Sequence, residues 1–121
     1  METRTTLVLG ASLRADRYSN LAVRRLKEHG KVVIAVGLRE GTIDDVPVVR
    51  EIPMGTPIDT VTLYLNAANQ MPLEEYILAL HPRRIIFNPG AENDHLAMHA
   101  KASGIAVVEG CTLVMLSAGT Y

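Results

Sequence analysis

The sequence predicts an α/β protein: a doubly wound, three-layer α/β/α sheet of about five parallel strands. Three observations lead there. Short, wholly apolar runs such as Leu7–Leu9 and Val32–Val36 suit strands covered on both faces. Stretches of helical periodicity, roughly ten residues long, separate the runs, as βαβ crossovers require. The first run passes through Gly10 into small and hydroxylic residues and then an amphipathic stretch, a strand–turn–helix unit.

Taken in order, Leu7-Val8-Leu9 forms the first strand and Gly10 ends it. The first helix starts near Ser19 or Asn20, either of which can cap it. Ala22, Val23 and Leu26 line its inner face, Arg24, Arg25, Lys27 and Glu28 look outward, and Gly30 stops it after His29. Val32–Val36 is the second strand. Residues 37–45 read as a polar loop, Val46–Ile52 as a short extended piece, and Met54–Pro57 as a turn. Asp59–Leu65 alternates, with Val61, Leu63 and Leu65 on one face and Thr62 and Tyr64 on the other. Asn66–Gln70 is a polar crossing into a helix opened by Pro72. There Leu73, Tyr76, Ile77 and Leu80 fall at i, i+3, i+4 and i+7, and His81-Pro82 ends the pattern. Arg84–Phe87 is the next strand, broken at Asn88-Pro89-Gly90. Asn93 or Asp94 caps a third helix with Leu96, Ala100 and Ser103 inward, closed by Gly104. Ile105–Val108 is the last strand, and the apolar Leu113–Leu116 forms a short helix that either covers the sheet edge or pairs with another subunit, so a homo-oligomer stays open.

At 121 residues the chain makes one domain, 1–121, large enough for a core. Its 48% apolar and 21% charged residues exclude a disordered chain. With 4% aromatics, no Trp and a net charge of −1, it lacks both the stacking platforms and the basic patch that nucleic acid needs, so no nucleic-acid partner is expected. The single Cys111 excludes an internal disulfide and fits a reducing compartment. Neither a signal peptide nor a membrane span is visible from the first residues METRTT onward, which makes a cytoplasmic protein the default.

In a doubly wound sheet, ligands sit outside the carboxyl ends of the strands, where the strand order switches. Those ends are Gly10-Ala11-Ser12, Val36-Gly37-Leu38, Leu65-Asn66 and Asn88-Pro89-Gly90. The stretch from Thr5 to Asn20 aims backbone N–H groups and the positive end of a helix dipole at one spot, which suits a phosphate. The Rossmann-type dinucleotide fingerprint G-x-G-x-x-G is unmet: Gly10 supplies the first glycine, Ser12 takes the second place and the third is missing. The Ser12 hydroxyl can still donate to a diphosphate, and Arg14, Arg17 and Ser19 add donors. After the second strand, where NAD folds place an acidic residue, stands Arg39. If it is more than a solvated loop arginine, it favours a phosphorylated ribose, hence NADP or coenzyme A over NAD.

These residues carry a resemblance. Gly10-Ala11-Ser12 followed after six residues by Ser19-Asn20, a helix ending in His29-Gly30, and then VVIAV resemble the small bacterial CoA-binding domain proteins. That fold is similar to the CoA-binding domain of succinyl-CoA synthetase alpha subunits. The likeness extends through IDTV, IIFNPG and GIAVVEGC, nearly the whole chain. It implies a Rossmann-like fold and places a diphosphate at Gly10, Ala11, Ser12, Arg17, Ser19 and Asn20. It puts the phospho-ribose end at Val36, Gly37 and Arg39, and the adenine or pantetheine by Tyr64, Leu65 and Asn66. Two positions depart from the family pattern. Val36-Gly37-Leu38 stands where Val-Asn-Pro is usual, and Phe87-Asn88-Pro89-Gly90 where a Trp-x-Gln-x-Gly type sequence is usual; Gly90 is kept.

Chemistry beyond binding has weaker support. His95 and His99 stand at i, i+4 on the third helix, a chelating spacing, yet no neighbouring acid or cysteine in the sequence completes a ligand set. Cys111 at a helix start reads as a small apolar residue, and Glu92, a candidate general base, as a helix-dipole partner. No catalytic or metal-ligating residue is assigned. The reading is a binding module for coenzyme A or an acyl-CoA; the alternatives are an NADP-type oxidoreductase-like protein and a degenerate scaffold acting through protein contacts.

Overall fold

The computed structural model describes residues 4–121, so the first residues of the expected 1–121 domain, and with them the start of METRTT, lie outside the described part. The chain runs β1 (Thr5–Leu9), α1 (Tyr18–Glu28), β2 (Val32–Val36), β3 (Gly41–Ile43), β4 (Val46–Val49), β5 (Thr60–Leu63), α2 (Ala67–Gln70), a 3₁₀ turn (Met71–Leu73), α3 (Glu74–Ala79), β6 (Arg84–Phe87), α4 (Asp94–Ala102), β7 (Ala106–Glu109) and α5 (Thr112–Ala118). All described strands join one sheet in the order β3-β4-β2-β1-β5-β6-β7. Every ladder is parallel except β3–β4. The chain leaves β1 toward β2 on one side and later returns to β5 on the other. The carboxyl end of β1 is therefore the switch in strand order.

Alternation along β1 explains its unbroken apolar run. Leu7 and Leu9 enter one core with Val61, Leu63, Ile85 and Phe87 beneath Ile77 of α3 and Leu96 and Ala100 of α4. Val8 enters the other core with Ala35, Val46 and Val48 beneath Val23 and Leu26 of α1 and Leu116 of α5. Each fully buried Leu, Ile or Val contributes about 1.5–3 kcal/mol relative to exposure, so both faces of the sheet are strongly specified. Helix α5 packs Leu116 into the core on one face of the sheet rather than along its edge, and leaves Val114 exposed.

The expected class is what the structure shows, with seven strands rather than about five. The difference lies in residues 37–49, expected to be mostly loop. Asp44 and Asp45 both take positive φ, 45° and 68°, and make the two-residue turn of a β3–β4 hairpin. Aspartate tolerates this region, but the turn lacks the Asn-Gly or Asp-Gly signature. Pro47 also argues against a strand; it is accommodated because pairing of β4 with β2 begins only at Val48.

Other boundaries shift for physical reasons. Helix α1 starts at Tyr18, with Arg17 in extended geometry as its N-cap; Ser19 and Asn20, expected as caps, are buried in its first turn. Of the two residues expected to cap α4, Asn93 does so, accepting from Leu96 N at 3.2 Å. Ser103, expected inside, is the exposed C-cap. The last strand is displaced by one residue, and β5 ends at Leu63. At the amino end of the sheet, Arg83 grips Asp59 at 2.9 and 3.1 Å, and this pairing holds the Asp59 carboxyl below its usual range. Nearby, Tyr121 hydrogen-bonds Thr6, and the Arg84 guanidinium lies 4.3 Å from the Tyr121 ring centre.

One backbone approach admits no side chain. A Cβ at Gly37 would stand 2.1 Å from the Ala11 carbonyl oxygen and 3.2 Å from Val48. Gly37→Ala must push the β1–α1 loop off the end of β2. It is expected to destabilise the fold by about 1–3 kcal/mol, read as a lower urea midpoint with unchanged slope.

Candidate functional site

The carboxyl ends of the strands are stitched to one another. The N–H groups of Gly10 and Ala11 both donate to the Val36 carbonyl at 2.9 Å, and Gly37 N donates to Val49 O at 2.9 Å. Gly10 takes φ of 98°, and a Cβ there would meet Leu65 and the Tyr64 backbone at 3.1 Å. The sequence reading aimed the N–H groups of this turn at a ligand. For Gly10 and Ala11 the structure corrects it: both are spent on Val36, and the two residues shape the turn.

The open donors come later in the loop. Asn20 donates from Nδ2 to the Ser12 carbonyl at 2.9 Å and accepts from Arg24 Nε at 2.8 Å, while Arg24 also reaches Ala15 O at 3.2 Å. Asn20 is therefore buried as the tie between loop and helix. The Ser12 hydroxyl accepts from Arg14 N at 3.2 Å, and Arg14 pairs with Asp16 at 3.0 Å. Below them the N-terminus of α1 has no side-chain cap and no acidic residue in its first turn, and its first helical bond is Leu21 N to Arg17 O. The N–H groups of that first turn have no intrahelical partner, and the positive helix end lies beside the exposed Arg17. Ser19 is buried against the core side of the same turn.

Beyond β2, Leu38 is 87% exposed and Arg39 is also exposed. A cleft of about 400 Å³ opens next to Val36, lined by Arg50, Ile52, Met54, Leu73 and Tyr76. Val36 alone was expected there. Leu73 and Tyr76 stand on the apolar helical stripe that also carries Ile77 and Leu80. Tyr76 is 54% exposed, and the stripe's outer edge forms the cleft wall. Arg50 and Met54 follow the edge hairpin that the sequence did not reveal.

The β5 and β6 ends are held by buried amides. Asn88 is fully buried: Nδ2 donates to Thr62 Oγ1 at 2.7 Å and Leu63 O at 2.9 Å, and Oδ1 accepts from Thr112 N at 2.8 Å. Its side chain, expected at a ligand, is committed inside the protein. Gln70 donates to Leu65 O and Ala91 O, both at 2.7 Å. Pro89 and Gly90 are exposed, and Gly90 N donates to Glu92 Oε1 at 2.8 Å. Leu65 is half-buried and Asn66 is exposed, its side chain accepting from Asn69 N at 2.9 Å as the cap of α2. Tyr64 turns to the α5 side, where its hydroxyl is buried without a hydrogen bond. Burial, and secondly Cys111 nearby, push its phenol well above the ordinary range. Cys111 is half-buried at the N-cap of the seven-residue α5.

A family model described as a CoA binding domain matches residues 4–117. The chain belongs to that family. A crystal structure of an uncharacterized protein is similar at 47% identity and a TM-score of 0.94, each chain covered over 100%. A Thermus thermophilus protein, cell-free ID.343, is similar at 22% identity and a TM-score of 0.87, over 98% of this chain and 91% of that one. A hypothetical protein from Pyrococcus horikoshii OT3 is similar at 20% identity and 0.84, over 96% and 82%. No curated protein matches. Among the described residues, no helix is long and apolar enough to cross a membrane.

The buried amide of Asn88 carries a structural prediction within this family fold. Asn88→Ala leaves Thr112 N–H and the Leu63 carbonyl unpaired in the interior. It is expected to cost about 1–3 kcal/mol, measured by urea unfolding followed by circular dichroism.

Proposed function

We propose that the domain binds coenzyme A or an acyl-CoA across the carboxyl ends of β1, β2, β5 and β6, as a binding module rather than a catalyst. The observation that carries this reading is the uncapped N-terminus of the eleven-residue α1, with no acidic residue in its first turn, in a chain of the CoA-binding domain family. A diphosphate supplies the anion that this helix end lacks. Gly10 and Ala11 shape the turn. The Ser12 hydroxyl, Arg17, Arg14 once released from Asp16, and the N–H groups of Ser19 and Asn20 are the donors.

On this reading Val36 and Gly37 border the nucleoside end and the exposed Arg39 meets a phosphorylated ribose. Tyr64, Leu65 and Asn66 flank the path toward Pro89 and Gly90, where the pantetheine arm runs. Asn88 supports that path from below. The donor set of hydroxyl, backbone N–H and guanidinium groups matches phosphate recognition. The single cysteine accords with a cytoplasmic setting.

A thermal-shift panel of CoA, acetyl-CoA, NADP, NAD and ATP tests the reading. CoA at about 100 times its dissociation constant stabilises the fold by about 2.7 kcal/mol. Stabilisation by NADP without CoA would overturn the proposal, and no response to any compound would favour a scaffold role.

Ser12→Glu places negative charge and bulk where the diphosphate lies. A folded Ser12→Glu protein is expected to lose the CoA response in the same assay; an unchanged CoA affinity would move the site to another loop.

A further inference from the structure

The pair His95 and His99 acquires a partner that its own helix does not supply. Glu74, the first residue of α3, is 8% exposed, and its Oε1 lies 2.7 Å from His95 Nδ1. Its other oxygen accepts from Asn93 Nδ2 at 3.1 Å, and Asn93 Nδ2 also donates to Gln70 Oε1 at 2.8 Å. The Glu74 carboxylate is thus fixed by the buried amides that join α2, α3 and α4. A carboxylate only accepts, so the neutral His95 ring carries its proton on Nδ1 and leaves the Nε2 lone pair free. The His95 side chain is 67% exposed, so that lone pair belongs to a ring open to solvent. His99 is exposed one turn along the helix, with its ring centre 4.6 Å from that of His95.

A carboxylate that orients one imidazole while its second nitrogen stays free is the outer-shell arrangement of histidine–metal sites. Among the described residues, no group of three or more His, Cys, Asp or Glu gathers around one point. The protein therefore offers two nitrogens and leaves the remaining positions of a tetrahedral ion to water or to a small ligand. Imidazole pairs select zinc, nickel or copper over magnesium or calcium. We propose that His95 and His99 chelate a first-row transition-metal dication, with Glu74 as the positioning residue that sets the His95 tautomer. The proposal does not depend on what binds at the α1 end of the sheet.

The test is calorimetric titration of Zn²⁺ into the full chain freed of any histidine tag, with imidazole resonances followed by NMR. Saturable one-to-one uptake is expected, with the His95 and His99 signals moving together and no uptake of Mg²⁺. His99→Ala changes an exposed side chain and keeps the fold; it is expected to lower Zn²⁺ affinity at least tenfold, by about the factor that outer-shell loss alone produces or more. Glu74→Gln should weaken uptake about 10–100-fold, whereas Cys111→Ser should leave it unchanged. Absence of saturable uptake, uptake that survives His99→Ala, or uptake that follows Cys111 would overturn the site. Unchanged affinity in a folded Glu74→Gln protein would overturn the role of Glu74.

Discussion

The carbonyl of Val36 sets the geometry on which the carboxyl edge depends. It accepts two N–H groups, from Gly10 and Ala11, and so bends the chain as it leaves β1. The bend brings the Ala11 carbonyl so close to residue 37 that only glycine fits there. On the other flank it lets Gly10 sit against Leu65, two residues past the end of β5. One acceptor thereby fixes the mutual positions of three strand ends. The loop that follows, tied to α1 by Asn20, inherits its position from this contact, and the open end of α1 inherits its direction.

The same edge is secured on its far side by amide side chains. Asn88 links β5, β6 and α5, and Gln70 links the turns after β5 and β6. Buried amides of this kind are costly if half-satisfied and rigid when fully satisfied. Both polar atoms of the Asn88 side chain have partners, so the ends of β5 and β6 are held rigidly. Ser12 and Arg17 on the loop before α1, and Arg39 on the loop after β2, carry donors and charge at the same edge of the sheet.

Much of the layout was legible in the sequence because it rests on periodicity. The runs at Leu7–Leu9 and Arg84–Phe87 became buried strands, Val32–Val36 became a strand buried only at Ala35 and Val36, and Val23 and Leu26 faced the sheet as the helical spacing required. The β3–β4 hairpin was not legible, since Asp44-Asp45 and Pro47 argue locally against it and pairing with β2 overrides them. Gly10 ends β1 between β2 and β5, Ser12 and Arg17 lie on the loop before α1, and Arg39 lies on the exposed loop after β2. Residues acting through distant partners could not be read. The roles of Asn88 and Asn20 depend on Thr112, Leu63 and Ser12, contacts that close only in three dimensions. Glu74 was missed beside His95 because twenty-one residues separate them. Arg50 and Met54 were missed because their wall of the cleft hangs on the unrecognised hairpin.

The tie between Asn88 and Thr112 also imposes an order on synthesis. As the nascent chain emerges, β1, β2, β5 and β6 can assemble, but the Asn88 carbonyl oxygen waits for a donor encoded twenty-four residues later. The Leu116 patch that seals the second core and the Tyr121 ring on Arg84 arrive later still. The ends of β5 and β6 are therefore locked only once α5 has been made. Until then the Asn88 amide oxygen lacks its Thr112 donor and the second core lacks Leu116.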